Sequence, residues 1–148
     1  QQNQITIVYD SMWHSTRLMA EAIAGGIKKA DPSVEAKVYN VAKSDKNDVL
    51  TEMFCSKAVL VGAYTINNGI SYAVSGILEM ASGLKFKNKK AAAFGSYGWS
   101  GEGVKHITEI LRRGGFEIVN DGIKALWKPD EAALQQCSEL GEAFIKSI

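Results

Sequence analysis

The chain has 148 residues, 46% of them hydrophobic and 22% charged, which is enough to enclose one sizeable core and too mixed for a disordered or fibrous protein. A formal net charge of +1 leaves no strong field to draw in nucleic acid or an anionic membrane, and no apolar run has the length of a bilayer-crossing helix. The two cysteines, Cys55 and Cys137, lie far apart and read as small buried hydrophobes. With no signal-peptide pattern at the start, a reducing, cytoplasmic setting is the expectation. Gln1-Gln2-Asn3-Gln4 runs straight into a core strand, as in a single domain excised from a longer multidomain protein.

Apolar runs of strand length alternate with segments of helical period. The first strand is Ile5 to Asp10. A helix from about Thr16 to Ala30 follows, with Leu18, Ala22, Ile23, Gly26, Ile27 and Ala30 on one face and Asp31-Pro32-Ser33 as its stop. Val34 to Tyr39 reads as strand two, and Val49, Leu50, Met53 and Phe54 mark a short second helix. Ala58 to Ala63 is continuously apolar, as in a central strand covered on both faces. Val74, Ile77, Leu78 and Ala81 give a third helix over Tyr72 to Ser82. The basic run Lys85 to Lys90 reads as a solvated approach to the next strand, Lys90 to Gly95. Val104, Ile107 and Leu111 mark a fourth helix ended by Gly114-Gly115. Phe116 to Trp127 is the last strand region, broken at Asn120-Asp121-Gly122. A final helix after Pro129-Asp130 carries Leu134, Cys137, Gly141, Phe144 and Ile148. Five strands alternating with five helices predict an α/β, doubly wound parallel sheet with helices on both faces, whose ligand site lies outside the carboxyl ends of the strands.

Three loops at that edge have unusual composition. After strand one, Ser11-Met12-Trp13-His14-Ser15-Thr16 opens the first helix with hydroxyls and little charge; unpaired N–H groups at the helix start and the hydroxyls of Ser11, Ser15 and Thr16 suit a terminal phosphate. Arg17 either offsets the phosphate charge or sits on the helix surface. After strand three, Tyr64-Thr65-Ile66-Asn67-Asn68-Gly69 is either a plain turn or a flexible ligand edge. After strand four, Gly95-Ser96-Tyr97-Gly98-Trp99-Ser100-Gly101 combines glycines, which let the backbone approach a flat ligand, with two rings that can cover it. With Trp13 nearby, the set points to a planar heteroaromatic ring on a phosphorylated tail, a description that FMN meets. The chain has neither G-x-G-x-x-G nor G-x-x-x-x-G-K-[ST], so dinucleotide and P-loop readings fit worse.

Asp10 to Thr16, Thr65 to Gly69 and Phe94 to Gly101 resemble the three flavin loops of the flavodoxin-like domain of flavodiiron proteins, in particular the flavorubredoxin type, the anaerobic nitric oxide reductases. The resemblance spans nearly the whole chain, with Gly98-Trp99-Ser100-Gly101 its most specific part. Trp13 and His14 replace the central Thr-Gly of a generic flavodoxin phosphate loop, and the charge is near neutral where free flavodoxins are acidic. The resemblance implies a flavodoxin-like sheet of order 2-1-3-4-5. It implies FMN bound by Ser11, Met12, Trp13, His14, Ser15 and Thr16 at the phosphate, and by Thr65, Ile66, Asn67, Asn68, Gly69, Ser96, Tyr97, Gly98, Trp99, Ser100 and Gly101 around the ring. A peptide near Asn68-Gly69 would bond the ring nitrogen N5. The partners it implies are a rubredoxin-type electron donor and a diiron metallo-β-lactamase-like domain that reduces nitric oxide or dioxygen. The chain has only His14 and His106, no H-x-H-x-D and no C-x-x-C, so it supplies neither the diiron site nor a rubredoxin module. No side chain need act as acid, base or nucleophile in such a relay.

The alternatives are a stand-alone flavodoxin-type shuttle or an FMN-dependent quinone reductase. Outside redox chemistry, a phosphoacceptor domain shares the architecture but needs an Asp at the end of strand three, where Gly62-Ala63-Tyr64-Thr65 stands. A non-enzymatic interaction module would stay colourless with added flavin.

Overall fold

The computed structural model describes residues 2–10, 15–66, 69–70, 72–84, 89–97, 102–119, 123–126 and 130–148. In chain order these form β1 (Gln2–Tyr9), α1 (Ser15–Ala30), β2 (Glu35–Asn40), α2 (Lys46–Cys55), β3 (Ser56–Ile66), β4 (Gly69–Ile70), α3 (Tyr72–Leu84), β5 (Lys90–Tyr97), α4 (Glu102–Arg113), β6 (Glu117–Ile118), β7 (Ile123–Leu126) and α5 (Glu131–Ser147). The parallel sheet runs β2-β1-β3-β5-β6, with β7 also beside β5 and β4 folded antiparallel onto β3. Taking β6 and β7 as the two pieces of the last strand, this is the expected five-stranded order 2-1-3-4-5. β6 and β7 are separate elements, and the expected turn Asn120-Asp121-Gly122 between them lies outside the described residues.

Alternation along the strands builds two cores. Ile5, Ile7, Ala58, Leu60, Ala92 and Phe94 face α1 and α5, whereas Val8, Val59, Val61, Ala63, Ala91 and Ala93 face α2, α3 and α4. Each fully buried Ile or Phe contributes on the order of 2 kcal/mol. Small alanines in β5 keep the helices close on both sides. Among the described residues, no helix is long and apolar enough to cross a membrane.

The helix stops have visible causes. After α1, the Ser33 N–H and hydroxyl both donate to the Asp31 carboxylate, at 3.0 and 2.6 Å, and Pro32 cannot continue the helix. After α4, Gly115 takes φ 93°, the Gly115 N–H donates to the Arg112 carbonyl at 3.2 Å and the Phe116 N–H to the Leu111 carbonyl at 3.1 Å. That pair of bonds is a Schellman cap, and Phe116 and Leu111 are buried in the same core. Where α1 crosses α5, Gly26 and Gly141 remove the side chains that would separate the backbones.

Several expectations are corrected. The inner face of α1 is Met19, Ala20, Ile23, Gly26 and Ile27; Leu18 and Ala22 are half-buried and Ala30 is exposed. Phe54 points outward, 66% exposed, and with Leu50, Thr51, Met80 and Gly83 lines a groove of about 600 Å³ between α2 and α3. On α5, Leu134 and Ile148 are half-buried, while Leu140 joins the core. The basic run is not a wholly solvated approach: residues 85–88 lie outside the described residues, but Lys89 is buried and its ammonium donates to the carbonyls of Met53, Phe54 and Ser56 at 2.6, 2.7 and 2.6 Å.

A polar seam runs beside that contact. Glu52 accepts from Lys37 Nζ at 2.9 Å and from Gln4 Nε2 at 3.0 Å, and these bonds hold its carboxyl below the ordinary glutamate range. A carboxylate with a depressed folded pKa adds stability above its unfolded pKa, about 4.3, and loses it as pH falls through the folded value. Urea unfolding of wild type and Glu52→Gln should therefore differ at neutral pH and converge in acid. A gap that stays constant with pH would show that the charge contributes nothing.

Candidate functional site

All parallel strands aim their carboxyl ends at one rim, and the register makes that rim stepped. Tyr9 closes β1 opposite Asn40 of β2 and Gly62 of β3, and the Asp10 N–H donates to the Gly62 carbonyl at 3.2 Å. β3 continues to Ile66, with Tyr64 opposite Ser96 and Thr65 opposite Tyr97 of β5, and Tyr97 lies opposite Leu126 of β7. At strand rise, the four residues beyond Gly62 carry β3 about 13 Å past the end of β1. The end of β1 therefore stands beside a wall made by the ends of β3 and β5. The connections leaving β1 and β3 also run to opposite sides here, to β2 and to β5, the position at which open α/β sheets take their ligands.

The elements bring the three expected segments to this rim. Residues 11–14 join β1 to α1, residues 67–68 join β3 to β4, and residues 98–101 join β5 to α4. Ser11, Met12, Trp13, His14, Asn67, Asn68, Gly98, Trp99, Ser100 and Gly101 lie outside the described residues. Ser15 is the first residue of α1, and Thr16, next to it, is completely buried. Two of the expected loops are shorter than the sequence suggests. Tyr64, Thr65 and Ile66 belong to β3, and Gly69 pairs with Ile66 from β4, so the turn is a hairpin closed around two residues. Gly95, Ser96 and Tyr97 belong to β5. Pairing across the sheet holds these segments extended although their composition is that of a loop.

The first turns of α1 and α3 hold no acidic residue, whereas α2 and α5 are capped by aspartates. In α2 the Asp45 carboxylate caps the helix by accepting from the Asn47 and Asp48 N–H groups, at 2.9 and 3.2 Å; in α5 Asp130 accepts from the Ala133 N–H at 2.8 Å. The N–H groups that open α1 and the positive end of its dipole thus meet no carboxylate from its first turn, which fits a phosphate monoester next to Ser15 and Thr16. The step between β1 and the protruding β3–β5 wall fits a flat ring system attached to that phosphate.

Charge around the end of β1 is arranged in one small group. Arg17 lies on the helix surface, 51% exposed, with Nε 3.0 Å from Glu21 Oε1, one turn on. Tyr9 is buried beneath it, and burial pushes its phenol upward in pKa, with Arg17 opposing and Glu21 and Asp10 reinforcing that shift. Asp10 is itself almost wholly buried. The Arg17-x-x-x-Glu21 spacing, the one sequence sign of this pair, is easily passed over beside the hydroxyl-rich loop. Elsewhere, Cys137 is buried, and its thiol is pushed up to about 12 by that burial, so it is inert as a nucleophile.

Comparison with known proteins agrees with this geometry. The family model described as Flavodoxin matches residues 7–141. The chain is 51% identical over 146 residues to an anaerobic nitric oxide reductase flavorubredoxin of Aeromonas hydrophila subsp. hydrophila, an alignment covering 99% of this chain and 29% of that protein. Among solved structures, the rubredoxin oxygen:oxidoreductase of Desulfovibrio gigas superposes with a TM-score of 0.93 at 34% identity, over 99% of this chain and 36% of that one. The flavodiiron protein of Giardia intestinalis does so with a TM-score of 0.92 at 31% identity, over 98% and 36%. The chain thus spans under a third of the curated relative and little more than a third of the solved chains. With a doubly wound 2-1-3-4-5 sheet and a phosphate-compatible helix start at its switch point, the chain belongs to the flavodoxin family, whose cofactor is FMN, and resembles the flavodoxin-like domains of flavodiiron proteins.

Proposed function

We propose that this chain is the electron-relay module of a flavodiiron reductase: it takes electrons from a rubredoxin-type donor and passes them to a diiron centre in a metallo-β-lactamase-like domain, on the same polypeptide or a neighbouring subunit, which reduces nitric oxide or dioxygen. The observation that carries this reading is the alignment of 99% of a chain that matches the Flavodoxin model with 29% of a flavorubredoxin. Bound FMN supplies a carrier able to exchange electrons singly. The protein's part is to bind and orient it. Backbone N–H groups of residues 12–16 and the hydroxyls of Ser11, Ser15 and Thr16 hold the phosphate. Backbone of residues 65–69 and 96–101 borders the ring, with Trp13, Tyr97 and Trp99 shielding it from water. The module works in the cytoplasm, consistent with a buried thiol at Cys137 and no disulfide between the two cysteines.

The purified chain is expected to be yellow, or to turn yellow with added FMN, to release FMN on denaturation, and to lack nitric oxide or oxygen reductase activity by itself. A protein that stays colourless with excess FMN overturns the reading. Thr16→Ala should weaken FMN about tenfold by titration while leaving riboflavin binding nearly unchanged, because one hydrogen bond to a charged phosphate is worth about 1.5 kcal/mol. Unchanged FMN affinity would remove Thr16 from the phosphate contacts.

A further inference from the structure

We propose that Glu21 sets the site's preference for the phosphorylated flavin by holding Arg17 away from the phosphate, an inference that rests on the FMN reading above. Side chains on a helix lean toward its N-terminus. Arg17, the third residue of α1, would therefore reach back past the helix start toward the segment that holds the phosphate. Glu21 stands one turn later, leans onto the same surface, and takes the Arg17 guanidinium at 3.0 Å through Nε. The Tyr9 phenol, buried at the end of β1, feels Arg17 and Glu21 with opposite signs, so the two charges act there as a pair. The phosphate would thus meet neutral donors at the helix start and a cation whose field Glu21 partly cancels.

This arrangement is adjustable because the pair is solvent-exposed, with Arg17 and Glu21 51% and 52% accessible, and an exposed i,i+4 pair is weak. A phosphate dianion competes with Glu21 for the same guanidinium, so neutralising Glu21 strengthens the attraction felt by FMN and leaves the ring contacts untouched. Riboflavin has the ring without the phosphate, which isolates the effect.

The test is titration of FMN and of riboflavin into the full chain, stripped of flavin, for wild type, Glu21→Gln, Arg17→Gln and the double variant, at low and at high salt. Glu21→Gln should tighten FMN about three- to tenfold at low salt, leave riboflavin unchanged, and lose its gain at high salt and in the double variant. An FMN-to-riboflavin affinity ratio in Glu21→Gln equal to that of wild type overturns the inference while leaving the FMN reading intact. Wild-type protein that binds neither flavin overturns both.

Discussion

Replacing Lys89 by Met is expected to lower the unfolding free energy by about 3 kcal/mol and Tm by about 10 °C, a large loss for one polar side chain. α2 ends at Cys55 and β3 begins at Ser56 with no connecting residue, so the last carbonyls of the helix are carried directly against the sheet. The Ser56 N–H serves Glu52 and Met53, and the Lys89 ammonium converges on the oxygens of Met53, Phe54 and Ser56. Those carbonyls lie at the negative end of the helix dipole, where a cation belongs. Burial pulls the Lys89 pKa down, and the neighbouring Cys55 opposes that shift. Methionine keeps the aliphatic stem and its packing, so the variant reports the ammonium alone: three carbonyl oxygens lose a buried donor at once. Urea unfolding checks this, and a loss below about 1 kcal/mol would show that water replaces the ammonium readily.

The second large effect is at the crossing of α1 and α5. A Cβ on Gly26 would stand 2.0 Å from the Ser138 carbonyl oxygen, and one on Gly141 would stand 2.3 Å from the Ile23 carbonyl oxygen. Both obstacles are backbone, which cannot rotate aside. Gly26→Ala and Gly141→Ala should each cost about 2 kcal/mol, because forcing the helices apart outweighs the roughly 1 kcal/mol that alanine gains in helix propensity. The double variant should lose less than the sum, since one methyl already opens the gap that the second needs. Gly25, on the same helix with nothing within 4 Å of its would-be Cβ, is the internal control: Gly25→Ala should stabilise by about 0.5–1 kcal/mol. Strict additivity of the two losses, or a gain from either core variant, would refute the close-packed crossing.

Much of this architecture is legible in the residues themselves. Apolar periodicity locates the five helices and the parallel strands; Asp31-Pro32-Ser33 and Gly114-Gly115 mark stops because their local chemistry acts within a few residues. The order 2-1-3-4-5 and the shared rim follow from alternation of strand and helix together with the flavin-loop resemblance, and the structure bears them out. What is decided locally can be read locally. The rest depends on partners distant in sequence. Tyr64 to Ile66 and Gly95 to Tyr97 look like loop, yet β3 and β5 pair with each other and make them strand, which carries both past the end of β1. Lys89 looks solvated as part of a charge run, yet three carbonyls some thirty-five residues earlier give its ammonium a buried place. Phe54 looks like core, yet the rotation of α2 on the sheet turns it outward, because Val49, Leu50 and Met53 already fill the inner face. Composition and period report what a segment prefers alone; the pairing, the burial of a charge and the facing of a helix are set by what lies across from it once the chain is folded.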